Sequence, residues 1–180
     1  QPDWAGLPIK KRLATIARFR ERLAAMHEAL ARTLTEEVGK PIRQSRNELN
    51  GLTGRLDFFL AESQRTLRGE TVLADLDNKL EERITHEPLG VVANISAWNY
   101  PYFVGSNVFV PALLAGNAVL YKPSEFASRT GNEIARLLHE AGIAEDVFIA
   151  VVGAGDAGAA LLKQPVDGVF FTGSVGTGKK

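Results

Sequence analysis

Val91-Val92-Ala93-Asn94-Ile95-Ser96, Ala118-Val119-Leu120-Tyr121, Val147 to Val152 and Gly168 to Thr172 are four short, largely apolar runs. Helical spacing fills the gaps between them, over Phe103 to Ala115, Ser128 to Ala141 and from Gly158 to Lys163. Runs that are apolar on both faces belong in a parallel sheet covered by helices, and right-handed crossovers wind such a sheet in both directions. The expected fold class is therefore α/β, with a doubly wound, mainly parallel Rossmann-like sheet. Ligands of such sheets bind beyond the carboxyl ends of the strands, so function is to be sought in the residues just after each run.

Upstream of Val91 the period changes. A polar segment after residue 70 has room for short strands at Thr71–Ala74 and Glu82–His86. Before it, Leu13, Ile16, Leu23, Met26, Leu30 and Leu34 recur at helical steps, which predicts one amphipathic helix from Pro8 to Val38. A second helix is expected from Pro41 to Leu67, joined to the first at Gly39-Lys40-Pro41. The charged faces of this pair read as solvated surface without chemistry. The organisation expected is a helical pair over 1–69 and a Rossmann-like α/β portion over 70–180.

Composition excludes several classes of function. Twenty-one Lys and Arg balance twenty-one Asp and Glu, so no electrostatic footprint for nucleic acid or an anionic membrane exists. The 180 residues contain no cysteine, which removes disulfides, thiolate metal sites and cysteine nucleophiles from this chain. His27, His86 and His139 are far apart and in no ligand spacing, so no metal is expected and each reads as a surface or half-buried polar residue. No apolar stretch reaches the ~18 residues of a membrane span. The expected compartment is the cytoplasm, although a chain that starts at Gln1 is compatible with removal of a targeting segment.

Four segments follow the apolar runs. Gly153-Ala154-Gly155-Asp156-Ala157-Gly158 is a literal G-x-G-x-x-G between a strand and a helix, but it comes late in the sheet and lacks the acid expected about 20 residues on. The alternative is a tight turn with close helix packing. Gly173 to Lys179 nearly completes a phosphate loop of the G-x-x-x-x-G-K type, yet Lys180 stands where a magnesium-binding hydroxyl is needed. A softer reading lets backbone N–H groups and the Ser174 hydroxyl hold a pyrophosphate. Asn99, before Tyr100-Pro101, is either a donor to an oxygen gaining charge or a helix-capping Asn. Lys122 and Glu125 are either an exposed ion pair of little consequence or a clamp for ribose hydroxyls. Trp98 reads as core more readily than as a cofactor contact.

Glu87-Pro88-Leu89-Gly90-Val91-Val92, Trp98-Asn99-Tyr100-Pro101, the Pro-Ala-Leu-Leu-Ala-Gly stretch from Pro111 to Gly116, Asn117, Lys122-Pro123-Ser124-Glu125 and Phe171-Thr172-Gly173-Ser174 occur in this order. Together they closely resemble the NAD(P)-dependent aldehyde dehydrogenase superfamily. The resemblance spans about residues 1 to 180, since Trp4 to Gly39 is similar to that family's first long helix before Glu-x-Gly-Lys-Pro.

What the resemblance implies is oxidation of an aldehyde to a carboxylic acid. Asn99 would be the side-chain donor of the oxyanion hole. Trp98, Ile95 and Ser96 would line the cofactor, and Lys122 and Glu125 would hold the adenosine ribose. Gly155, Phe171, Gly173 and Ser174 would surround the adenine and pyrophosphate, with Thr177 where the family commonly has Val or Ile against the adenine. NAD is expected over NADP, because Glu125 accepts a bond from a 2'-hydroxyl and repels a 2'-phosphate, while Lys122 pulls the other way. The family's nucleophilic cysteine and general-base glutamate are not found here, so the chain reads as the cofactor-binding portion of a longer enzyme. The rival reading is a degenerate, non-catalytic binding module of the same fold. The family also implies an aldehyde substrate and a homodimer or homotetramer.

Overall fold

Four strands form one parallel sheet in the computed structural model, which describes residues 1–75 and 77–179. They are β3 (Val91–Ile95), β4 (Ala118–Lys122), β5 (Phe148–Ala150) and β6 (Gly168–Phe171), and their spatial order is β5-β4-β3-β6. The chain starts in the middle at β3, steps outward to β4 and β5, then returns to the other side of β3. That reversal creates a crevice between β3 and β6 at the carboxyl ends, the place where open α/β sheets take their ligands. Val92, Ala93 and Asn94 are buried in β3, which explains why the run lacks the alternation of a half-exposed strand. The one polar member, Asn94, is satisfied by donating to the Gly105 carbonyl at 2.9 Å.

Helix α5 (Pro101–Leu114) connects β3 to β4, and α6 (Ser128–Ala141) connects β4 to β5 after a 3₁₀ turn at Glu125–Ala127. The short helices α7 (Gly155–Leu161) and α8 (Val175–Gly178) follow β5 and β6. Helix α7 begins three residues before the expected start at Gly158, so it contains two of the motif glycines.

The N-terminal region holds four helices: α1 (Pro2–Ala5), α2 (Ile9–Ala25), α3 (His27–Val38) and α4 (Ile42–Thr66). The expected single helix from Pro8 to Val38 is broken at Met26, whose φ of -102° and ψ of 9° leave the helical range. No Gly or Pro marks this break in the sequence, because packing sets it. Helix α2 lies against α4, α5 and α6, whereas α3 lies against α4, α6 and the 3₁₀ turn. The core runs through both regions: Phe109 of α5 meets Phe19 of α2, Tyr121 of β4 and Phe148 of β5 at centroid distances of 6.4, 5.5 and 5.3 Å. Each ring buried this way contributes roughly 1.5–3 kcal/mol of apolar transfer. Helix α1 was not expected, and Trp4 anchors it by donating from Nε1 to the Leu113 carbonyl at 2.8 Å.

Strands β1 (Glu70–Asp75) and β2 (Leu80–Ile84) form a separate antiparallel pair. Strand β2 starts two residues earlier than expected because Asp75 pairs with Leu80 and fixes the register. Val72, Leu73, Leu80 and Ile84 are exposed on this ribbon. Among the described residues, no helix is long and apolar enough to cross a membrane.

Candidate active site

Parallel pairing puts three candidate residues in one row. Ile95, the last residue of β3, is paired with Lys122 of β4 on one side and Phe171 of β6 on the other. With strands about 4.8 Å apart, Lys122 and Phe171 are about 10 Å from each other across Ile95. The ladder continues one residue past the strand, since Ser96 N donates to the Lys122 carbonyl at 3.0 Å and Thr172 N to the Ile95 carbonyl at 2.9 Å. Beyond it Ser96 is buried, and its Oγ has no hydrogen-bond partner among the described residues. Trp98 is 51% exposed, so the expectation that its ring packs in the core is overturned.

Asn99 is exposed immediately before helix α5. The capping alternative fails for a specific reason: the N-cap is Tyr100, and the N–H groups a capping Asn would satisfy are taken. Tyr102 N and Phe103 N donate to Glu48 Oε1 at 2.8 and 3.2 Å, and Val104 N donates to the Tyr100 carbonyl at 2.8 Å. Glu48 comes from α4, is 4% exposed, and accepts from Lys40 Nζ at 2.5 Å through Oε2. Burial pushes the Glu48 carboxyl up, against the opposing pull of Lys40 and the two backbone N–H groups. The Lys40 ammonium also sits 3.8 Å from the Tyr100 ring centroid.

Glu37 of α3 does the same for α6, accepting from Thr130 N at 2.8 Å and from Thr130 Oγ1 at 2.7 Å. Two charged residues of the helical region thus cap the helices of the sheet domain, which corrects the reading of those faces as solvated surface only. The sequence signal was weak: Glu48 is one acid among many on an amphipathic helix, and its partner N–H groups lie 54 and 55 positions away. An open cavity of about 240 Å³ adjoins this junction, lined by Gln44, Asn47, Glu48, Gly51, Tyr100 and Phe103.

Lys122 is 4% exposed, so it is not half of an exposed surface pair. Its Nζ donates to the Pro123 carbonyl at 3.1 Å and stands 4.0 Å from Glu125 Oε2. An ammonium has three donors, so its capacity is not filled by these partners. Glu125 is exposed at the start of the 3₁₀ turn. A buried cation and an exposed carboxylate therefore face one point beyond β4.

The G-x-G-x-x-G segment follows β5, the strand at the far edge of the sheet, and so stands away from the β3/β6 crevice. Its glycines have structural work: Gly153 has φ +156°, where a Cβ would meet the Ala157 Cβ at 2.5 Å, and Gly158 packs on the Lys122 stem. These contacts favour the tight-turn reading over a Rossmann phosphate loop. Gly155 opens α7 and has nothing within 4 Å of where a Cβ would stand.

At β6 the Phe171 ring lies on the following turn, and a Cβ on Gly173 would come within 2.5 Å of it. Ser174 is the N-cap of α8, its Oγ accepting from Thr177 N at 3.1 Å and lying 2.9 Å from Thr177 Oγ1. That hydroxyl is engaged with its own helix. Lys180, on which the phosphate-loop reading turned, lies outside the described residues. His27 pairs with Asn50, and His139 with the Ile143 carbonyl. Among the described residues no three His, Asp or Glu converge as a metal site.

The family model for the aldehyde dehydrogenase family matches residues 1–180. The chain belongs to the aldehyde dehydrogenase family. It is 36% identical to an N-succinylglutamate 5-semialdehyde dehydrogenase of Sphingopyxis alaskensis, over 98% of this chain and 37% of the relative. The enzyme of the same name from Chromobacterium violaceum is 38% identical, over 98% of this chain and 36% of its own length. Among solved structures, a NAD-dependent aldehyde dehydrogenase from Sinorhizobium meliloti superposes with a TM-score of 0.91 at 36% identity, covering 98% of this chain and 35% of that one. A NADP-dependent glyceraldehyde-3-phosphate dehydrogenase from Bacillus halodurans, complexed with NADP, gives 0.91 at 30% identity over 99% of this chain and 38% of that one. This aldehyde dehydrogenase chain thus spans little more than a third of the length of the relatives it matches.

Proposed function

We propose that the complete protein oxidises an aldehyde to a carboxylic acid with NAD, and that residues 1–180 supply the partial cofactor-binding domain and one oxyanion donor. The observation that carries this reading is the row of Ile95, Lys122 and Phe171 across the switch point, with Asn99 exposed four residues beyond Ile95. A dinucleotide fits the groups present: Lys122 is buried with donor capacity to spare, and Trp98 offers an exposed ring. Lys122 and Glu125 would hold the adenosine ribose hydroxyls. Phe171, Gly173, Ser174, Thr177 and Gly155 would border the adenine and pyrophosphate, while Ile95, Ser96 and Trp98 would line the cofactor.

Bound NAD would supply the hydride acceptor. A nucleophilic thiolate must come from outside these residues, which contain no cysteine. The contribution of this chain to the chemistry is electrostatic: the Asn99 amide donates to the carbonyl oxygen as it gains negative charge. The aldehyde would reach it by the cavity beside Tyr100. The relatives' name makes N-succinylglutamate 5-semialdehyde the first substrate to assay. The exposed apolar side chains of the β1–β2 ribbon support assembly as a homodimer or homotetramer, because an isolated two-stranded ribbon is marginal by itself. Cytoplasmic residence is part of the same proposal.

Cofactor choice tests the ribose assignment. A carboxylate beside the 2'-position repels a phosphate, and like charges about 4 Å apart near a protein surface interact by up to ~4 kcal/mol. The enzyme should therefore use NAD at least about tenfold more efficiently than NADP, the exposure of Glu125 making the gap smaller at high salt. Glu125→Gln should narrow it. A measured preference for NADP would remove Glu125 from the ribose.

A further inference from the structure

We propose that Glu48, clamped by Lys40, is a positioning residue that fixes the start of helix α5 and through it the aim of the Asn99 amide. The proposal rests on the oxyanion reading of Asn99 and adds the element that sets its geometry.

Helix α5 begins at Pro101, which lacks an N–H, and its N-cap Tyr100 makes no side-chain cap. The free N–H groups of its first turn are those of Tyr102 and Phe103, and one oxygen of Glu48 accepts both, at 2.8 and 3.2 Å. A carboxylate at a helix N-terminus is favoured by the helix dipole as well as by these bonds. Its second oxygen holds Lys40 at 2.5 Å, and the two side chains are 0% and 9% exposed. Lys40 in turn lies on the face of the Tyr100 ring at 3.8 Å, so the residues that follow Asn99 directly, Tyr100, Tyr102 and Phe103, are gripped by one ion pair.

Asn99 itself has no such support. It is exposed, and the next residue, Tyr100, has φ -141° and ψ 62°, neither helix nor strand. An exposed amide on an irregular turn keeps one orientation only if the turn is held by its neighbours, and donor geometry within a few tenths of an ångström decides how well an oxyanion is stabilised. Isolated buried ion pairs are weak sources of stability, because desolvation offsets their attraction. Positioning accounts for a pair spent at this junction.

The test is a double-mutant cycle in the complete enzyme with N-succinylglutamate 5-semialdehyde and NAD. Glu48→Ala should lower kcat about tenfold, change the KM for NAD less than about twofold, and speed amide hydrogen exchange in the peptide containing Tyr102 and Phe103. Glu48→Gln, which keeps an oxygen for the two N–H groups, should recover most of the loss. In an Asn99→Ala background the same Glu48→Ala change should cost less than about twofold further, since the amide it aims is gone. Equal losses in both backgrounds, or a folded Glu48→Ala enzyme with unchanged kcat, would overturn the proposal. If Glu48→Ala does not fold, Lys40→Met measured in both backgrounds reads the same coupling. Near-normal turnover of Asn99→Ala alone would instead defeat the oxyanion reading beneath it.

Discussion

Asn99→Ala in the complete enzyme should lower turnover about a hundred- to a thousandfold, or about 3–4 kcal/mol, the cost of removing one oxyanion donor. In the proposed role its bond would be weak to a neutral carbonyl and strengthen as the oxygen becomes anionic, so kcat should fall while NAD affinity stays near normal. A capping Asn would give another pattern, a loss of about 1 kcal/mol in stability with turnover per folded molecule intact. The structure makes that second pattern hard to produce, because Glu48 already occupies the N–H groups of Tyr102 and Phe103. Turnover, NAD titration and melting temperature measured on the same preparation separate the two. A variant with near-normal turnover would take Asn99 out of the chemistry.

The sequence made the sheet legible because β3 and β4 are buried on both faces, and such runs cannot be mistaken for alternating surface strands. The ends of β3 and β4 were legible for the same reason, and with them the positions of Asn99 and Lys122, whereas β6, which carries Phe171, is largely exposed and β5 ends at Ala150 rather than Val152. Strand order was not legible. Nothing local says that β6 returns beside β3, and that return is what moves the crevice away from Gly153 to Gly158. Two glycines of the apparent dinucleotide motif, Gly153 and Gly158, answer to Ala157 and the Lys122 stem, whereas Gly155 opens α7 with open space where a Cβ would stand.

Long-range capping was equally invisible. Glu37 and Glu48 match the solvent-facing pattern of their helices, and only tertiary packing turns them toward helix starts more than 50 positions away. Trp98 failed in the opposite direction, since an apolar ring beside a strand normally packs and here it is exposed. The break at Met26 had no punctuation to reveal it.

Phe109→Ala should destabilise the folded protein by about 3–5 kcal/mol, the range for emptying a buried aromatic site. Phe109 is 0% exposed and joins three elements that are distant in sequence, through Phe19 of α2, Tyr121 of β4 and Phe148 of β5. Two terms add in the loss. The ring's transfer from water and its edge-to-face contacts disappear, and a cavity remains because its neighbours are held by the sheet and by α2, which limits collapse. Phe109→Leu keeps most of the apolar volume, so it should cost clearly less, and the difference between the two variants isolates the cavity. Denaturant unfolding reads both, as a lowered midpoint with an unchanged slope. The helical layer and the sheet meet at this ring, so their unfolding should shift together. If Phe109→Ala instead released helix α2 while the sheet kept its midpoint, the two layers would not share one cooperative core.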